Sequence, residues 1–133
     1  MANVLYDSAK EAFLSGDIDL TTDDIRVILV DLADYTFSAL HDFLDDVPAG
    51  AREEVSAALG SKTVTNGVFD SANTVFTAAA GDESEALILY KHTGVEATSN
   101  LIAFYDTGVG NMPIILNGSN VDVTVHASGW FAL

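Results

Sequence analysis

The sequence predicts a mainly β fold, a β-sandwich or jelly-roll-like barrel, with one short N-terminal amphipathic helix. Three observations lead there. Short runs rich in Val, Ile, Thr, Phe and Tyr recur about every ten residues, with Gly, Asn and Asp between them. One dipeptide, Asn66-Gly67, sits between two such runs in the pattern of a tight hairpin. Only the segment from Val4 to Ser15 shows helical spacing clearly. With 133 residues, 49% of them apolar, the chain suits a single domain, 1–133, able to bury a core unaided. Residues 1–16 read as an N-terminal helix or arm, and 17–133 as the β domain.

From Val4 to Ser15, Leu5, Ala9, Ala12 and Phe13 fall on one helix face. Asn3 is placed to cap the first turn, Asp7 suits its positive end, and Gly16 is placed to stop the helix. About three turns are marginal alone in water, so this helix must pack on the chain's own core or on a neighbouring subunit. Ile25 to Asp31 is apolar on both alternating faces apart from Arg26, as in a strand covered on both sides. Tyr35-Thr36-Phe37 can extend or pair with it. His41 to Val47 reads as one helical turn ending before Pro48. Ala51 to Leu59 mixes helical and strand signals and is assigned to strand or irregular structure.

In "KTVTNGVFD", Asn66 and Gly67 both tolerate the positive φ of a type I′ turn, so Thr63 to Thr65 and Val68 to Asp70 should pair. Further strands are expected at Thr74 to Ala79, Glu85 to Tyr90, Thr98 to Tyr105 and Met112 to Leu116, the last two divided by the turn-rich DTGVGN. The final strand, Val121 to Val125, alternates with Val121, Val123 and Val125 inward and Asp122, Thr124 and His126 outward. Trp130-Phe131 follows, a pair of rings suited to cap the core or to anchor in a partner.

Charge excludes several partners. Twenty acids oppose five bases, a formal net charge of −15. The bases (Lys10, Arg26, Arg52, Lys62 and Lys91) are scattered, so neither nucleic acid nor an anionic membrane is an expected partner. The field is strongest toward the N-terminal part, net −10 through Glu54 and −5 after it. The opening residues Met1 to Asp7 lack the basic and apolar regions of a secretory signal, and no run of about 18 apolar residues occurs.

No reaction is announced. There are no cysteines, and His41, His92 and His126 lack ligand spacing. No nucleophile elbow, P-loop or zinc-protease helix occurs, and Gly108-Val109-Gly110 lacks the third glycine of a dinucleotide cradle. Asp17-x-Asp19-x-Thr21-x-Asp23 resembles the front of a calcium loop, but Thr22 stands at the glycine position and Ile28 at that of the bidentate acid. Asp42, Asp45 and Asp46 form an acidic cluster open to adventitious cations. No catalytic residue, resident metal or cofactor is expected, and the chain is not read as an enzyme.

Taken in order, the phrases "MANVLYDSAKEAFLSGDIDL", "DDIRVILVD", "HDFLDDVPAGAR", "KTVTNGVFD" and "EALILYKHTGVEATSNLIAFYDT" resemble a family of small tailed-bacteriophage virion structural proteins. The resemblance runs over nearly the whole chain. It implies a capsid decoration, or cement, protein on the exterior of the head shell, assembled in the host cytoplasm. Its partners would be the major capsid protein and other copies of itself, with a homotrimer matching local threefold positions. A tail or neck component is the competing role within the virion, and a carbohydrate- or receptor-binding β module is the alternative outside it. On the cement reading, contact with partners falls to Val4, Leu5, Tyr6 and Phe13 of the N-terminal segment and to Trp130 and Phe131.

Overall fold

The computed structural model describes residues 3–106 and 113–133. In chain order these form β1 (Val4–Leu5), α1 (Asp7–Ser15), β2 (Ile25–Val30), β3 (Arg52–Val55), β4 (Thr63–Thr65) and β5 (Val68–Asp70). Then follow β6 (Thr74–Phe76), β7 (Ala86–Lys91), β8 (Leu101–Tyr105), β9 (Val121–Val123) and β10 (Phe131–Ala132). Single 3-10 turns occupy Leu44–Asp46, Ala49–Ala51 and Glu96–Thr98. The architecture is mainly β, as expected, and sandwich-like; it is not a closed barrel.

Among the described residues there are three antiparallel sheets: a five-stranded sheet in the order β1-β8-β7-β2-β3, a three-stranded sheet β10-β5-β4, and the pair β6-β9. The long strands β2, β7 and β8 are central because their sequences bury both faces; every residue of β8 and all but one residue each of β2 and β7 are buried. The exception in β2, Arg26, is held by Asp24 through two parallel bonds, Nε to Oδ1 at 3.0 Å and Nη2 to Oδ2 at 2.9 Å. Those bonds hold the Asp24 carboxyl below its ordinary pKa.

Register decides what each face carries. Val4, Phe104, Ile88 and Ile28 line up across the large sheet, and Leu5, Ala103, Leu89 and Val27 form the next row on the opposite face. The large buried side chains of these rows, Phe104, Ile88, Ile28, Leu89 and Val27, contribute roughly 1.5–3 kcal/mol each, so they hold the sheet together. The first face is covered by Phe37, whose ring lies 4.7 Å from Phe104, and Phe37 in turn meets Tyr6 at 5.2 Å. On the opposite face Trp130 packs against Tyr105 at 5.6 Å. A buried polar chain ties Tyr6 to the surface: its hydroxyl lies 3.0 Å from that of Tyr35, which lies 2.8 Å from His41 Nδ1. Burial and the neighbouring Tyr35 raise the Tyr6 pKa, so it stays protonated.

The N-terminal segment departs from the sequence reading. Val4 and Leu5 belong to a strand, and the helix begins only at Asp7. Asn3 is not the cap. Its Oδ1 accepts from Asp106 N–H at 3.1 Å, while Tyr6 occupies the capping position without a side-chain bond to the helix end. The Asp7 N–H is satisfied by the Ala39 carbonyl at 3.0 Å. At the other end Gly16 does stop the helix, in the left-handed conformation at φ 82°. Since β1 pairs with β8 and Ala9 and Ala12 are buried, residues 4–15 are part of the packed structure and do not form a separate arm.

Elsewhere the assignments mostly stand. The hairpin closes at Asn66 (φ 54°) and Gly67 (φ 79°), as type I′ requires. Val121, Val123 and Val125 turn inward, and the residues between them are exposed. Tyr35-Thr36-Phe37 pairs with no strand among the described residues, and its Phe37 serves as a plug on Phe104. Within the expected strand Met112 to Leu116, the described residues 113–116 make only an isolated bridge, Ile114 with Ser84. Met112 and the Gly108-Val109-Gly110 loop lie outside the described residues.

Candidate interaction surface

The three-stranded sheet presents an apolar row on one face. Register sets Phe131 beside Phe69 and Phe69 beside Val64. From α1, Phe13 stacks 5.8 Å from Phe131, which lies 5.7 Å from Phe69. These ring contacts bury Phe69, but the row ends at the sheet edge with Val64 51% exposed. An open groove of about 490 Å³ runs there, walled by Phe13, Ile18, Leu20, Val64 and Leu133, with Asp19 on its rim. Leu133, which lines it, is 72% exposed, and Leu14 of α1 is 91% exposed. A run of apolar side chains at a groove is the kind of surface that contacts other proteins.

Trp130 reaches its place through a strained approach. Gly129 sits at φ 88°, and a Cβ there would lie 2.7 Å from the Phe69 carbonyl oxygen, so no other residue fits. The indole Nε1 then donates to Ser71 Oγ at 2.8 Å, and Tyr105 Oη donates to the Trp130 carbonyl at 2.7 Å.

The structure divides the six residues expected at an interface. Val4, Leu5, Trp130 and Phe131 come together around a smaller groove of about 230 Å³ between β1 and β10. Phe13 joins Phe131 on the other side and opens onto the larger groove. Tyr6 and Trp130, only 0% and 4% exposed, are core residues of this chain and are not available as contact surface. Val64 and Leu133 were missed, as were Ile18 and Leu20, which line the groove but are themselves buried at 6% and 8% exposure. The available signal was Val64, an apolar residue between two threonines in a three-residue strand.

Polar groups are mostly committed locally. Each histidine ring has a partner: His41 with Tyr35, His92 with Tyr90 at 3.1 Å, and His126 with Ser128 N–H at 3.0 Å. The carboxylates of the calcium-like segment are spent on local bonds and on Lys91, whose ammonium lies 3.3 Å from Asp23 Oδ2. Asp19 Oδ1 accepts from Thr21 N and Oγ1 at 3.0 and 2.7 Å, and Asp23 Oδ2 accepts from Asp19 N at 2.8 Å. The Thr21 bonds lower the Asp19 pKa. Among the described residues two carboxylate groups come within 4.8 Å of one another, Asp42–Asp45–Asp46 and Asp31–Glu53–Asp82. In the first, Asp42 N–H donates to Asp46 Oδ2 at 2.9 Å, which lowers the pKa of Asp46; burial raises that of Asp42, and Asp46 adds to the rise.

Next to the second group, Glu85 Oε1 accepts from Leu32 N–H at 2.8 Å. Partial burial, reinforced by the charge of Asp31, raises the Glu85 pKa despite that bond. A raised carboxyl pKa means the folded state holds the proton more tightly, so this stabilisation is complete below the unfolded value of about 4.3 and is lost as pH rises through the folded one. Glu85→Gln keeps the acceptor for Leu32 and removes the charge. It should raise the thermal midpoint at pH 7 by at most about 2 °C, with the gain vanishing near pH 4, in paired melts at the two pH values. A gain that persists at pH 4 contradicts the assignment.

No protein-family model matches the chain, and no characterised protein matches it in sequence.

Proposed function

We propose that the chain is a non-enzymatic structural protein that works by adhesion, and specifically a decoration protein of a tailed-phage head shell. The observation that carries the adhesive part is the apolar groove at the β4 edge, with Val64 and Leu133 exposed in it, on a protein of net charge −15. The acidity keeps such a protein soluble despite the exposed apolar groups and suits the outside of a shell better than its DNA-facing side. The phage assignment rests on the sequence resemblance. Weak patches suffice for a shell protein, because a protein touching several subunits gains from multivalency. A carbohydrate-binding role is less favoured, since the single tryptophan, Trp130, is buried.

The test adds purified protein to head shells assembled without it. Saturable co-sedimentation and a higher temperature of shell disruption are expected. Failure to sediment with shells, or density found only on tails in intact particles, overturns the head assignment.

A further inference from the structure

We propose that the outer edge of β4 and the apolar groove beside it form a docking site for an extended, basic-flanked segment of a partner protein, taken up as an added strand. This deepens the adhesive reading above and rests on it. In the order β10-β5-β4, β4 pairs on one side only among the described residues. In a two-residue hairpin the closing pair, Thr65 and Val68, exchanges hydrogen bonds, and the next pair, Val64 and Phe69, does not. The N–H and C=O of Val64 therefore point away from β5. Among the described residues no backbone group bonds to them. Such an edge is a template for another strand.

The usual guard is absent. Lysine on an edge strand repels incoming chains, but Lys62, just before β4, turns its ammonium onto the Asp23 carbonyl. All three residues of β4 are exposed, and no proline or bulge interrupts them. The groove beside the edge offers an apolar lining for the inward side chains of an added strand: Val64 and Leu133 are exposed in it, and Phe13 and the mostly buried Ile18 and Leu20 complete the lining.

Charge selects the occupant. Among the described residues Asp19 is the only one with an ionisable side chain lining the groove, and Asp17 and Glu11 are exposed on the adjoining turn and helix. A second copy, also at net −15, would bring like charge to this edge. An apolar β-forming segment flanked by lysine or arginine meets both the groove and the field.

The probe is a peptide of roughly ten alternating Val and Thr residues with lysines at both ends, compared with a glutamate-ended version, added to the full chain. The lysine peptide should bind and slow hydrogen exchange of the Val64 amide by about tenfold or more. Val64→Pro removes the outward N–H while leaving the β4–β5 ladder intact, and should weaken binding by at least about tenfold. Val64→Lys, which keeps the N–H, should weaken it similarly and decides the matter if the proline variant fails to fold. Equal binding of the glutamate peptide, no binding at about 1 mM, or unchanged binding by a folded Val64 variant overturns the proposal. So does self-association of the wild type that Val64→Lys abolishes, since that makes the occupant a second copy. Peptide binding without shell binding would keep this site and discard the head-shell role; shell binding unaffected by Val64→Lys would do the reverse.

Discussion

Deleting residues 2–15 should abolish cooperative folding. The deletion removes β1, and with it the backbone pairs Val4 with Phe104 and Leu5 with Ala103 at the edge of the large sheet. It also removes Tyr6, Ala9 and Ala12, at 0%, 0% and 5% exposure, from the core. Losing a buried aromatic alone costs about 3–5 kcal/mol. With the smaller side chains and the backbone pairs the total reaches the order of 10 kcal/mol, comparable to the whole stability of a typical domain. The check is a circular-dichroism melt of the truncated chain, which should show no sigmoidal transition. A cooperative melt within a few degrees of the full chain would mean that the N-terminal segment is an independent arm after all.

The second large effect is expected at Trp130. Trp130→Ala leaves Tyr105 without its ring partner at 5.6 Å and empties space at the junction of the large and three-stranded sheets. It also takes away the donor to Ser71 Oγ, a bond of 2.8 Å. The expected loss is about 3–5 kcal/mol, or a fall of about 10–20 °C in the melting midpoint. Trp130→Phe keeps most of the apolar area but loses the donor, and should cost about 1–2 kcal/mol. The pair separates packing from hydrogen bonding. Equal losses in the two variants would show that the Ser71 bond, and not the ring, carries the effect. Denaturant titration of both proteins measures it.

Local chemistry was legible in the sequence wherever a residue type leaves the backbone little choice. Asn66-Gly67 could be read because positive φ at two consecutive positions is tolerated by few other pairs. Ile25 to Val30 could be read because an unbroken β-branched run suits only a strand covered on both faces. Val4 to Tyr6 was misassigned to the helix because Leu5 fits a helical face as well as a strand. What makes it a strand is pairing with β8, a partner about one hundred residues away that no local window contains. Tyr35 to Phe37 has strand-like side chains but uses them to fill space over Phe104.

The candidate surface was less legible. Trp130 and Phe131 attracted notice as a pair, yet the chain buries the first and half-buries the second. The groove depends on what stands opposite Val64. Ile18 and Leu20 arrive there by way of the turn after Gly16, and Leu133 by way of a backbone bond to the Gly67 carbonyl at 2.9 Å. No spacing rule joins those positions.

The pairing of Val4 with Phe104 also bears on how the molecule is made. As the nascent chain leaves the ribosome, its first strand emerges about 5–20 s before the partner that will hold it, at ordinary rates of translation. During that interval Val4, Leu5 and Tyr6 have no sheet to join, and a chain arrested before Tyr105 lacks the strand that would accept them. Completion of folding therefore waits on synthesis through Tyr105.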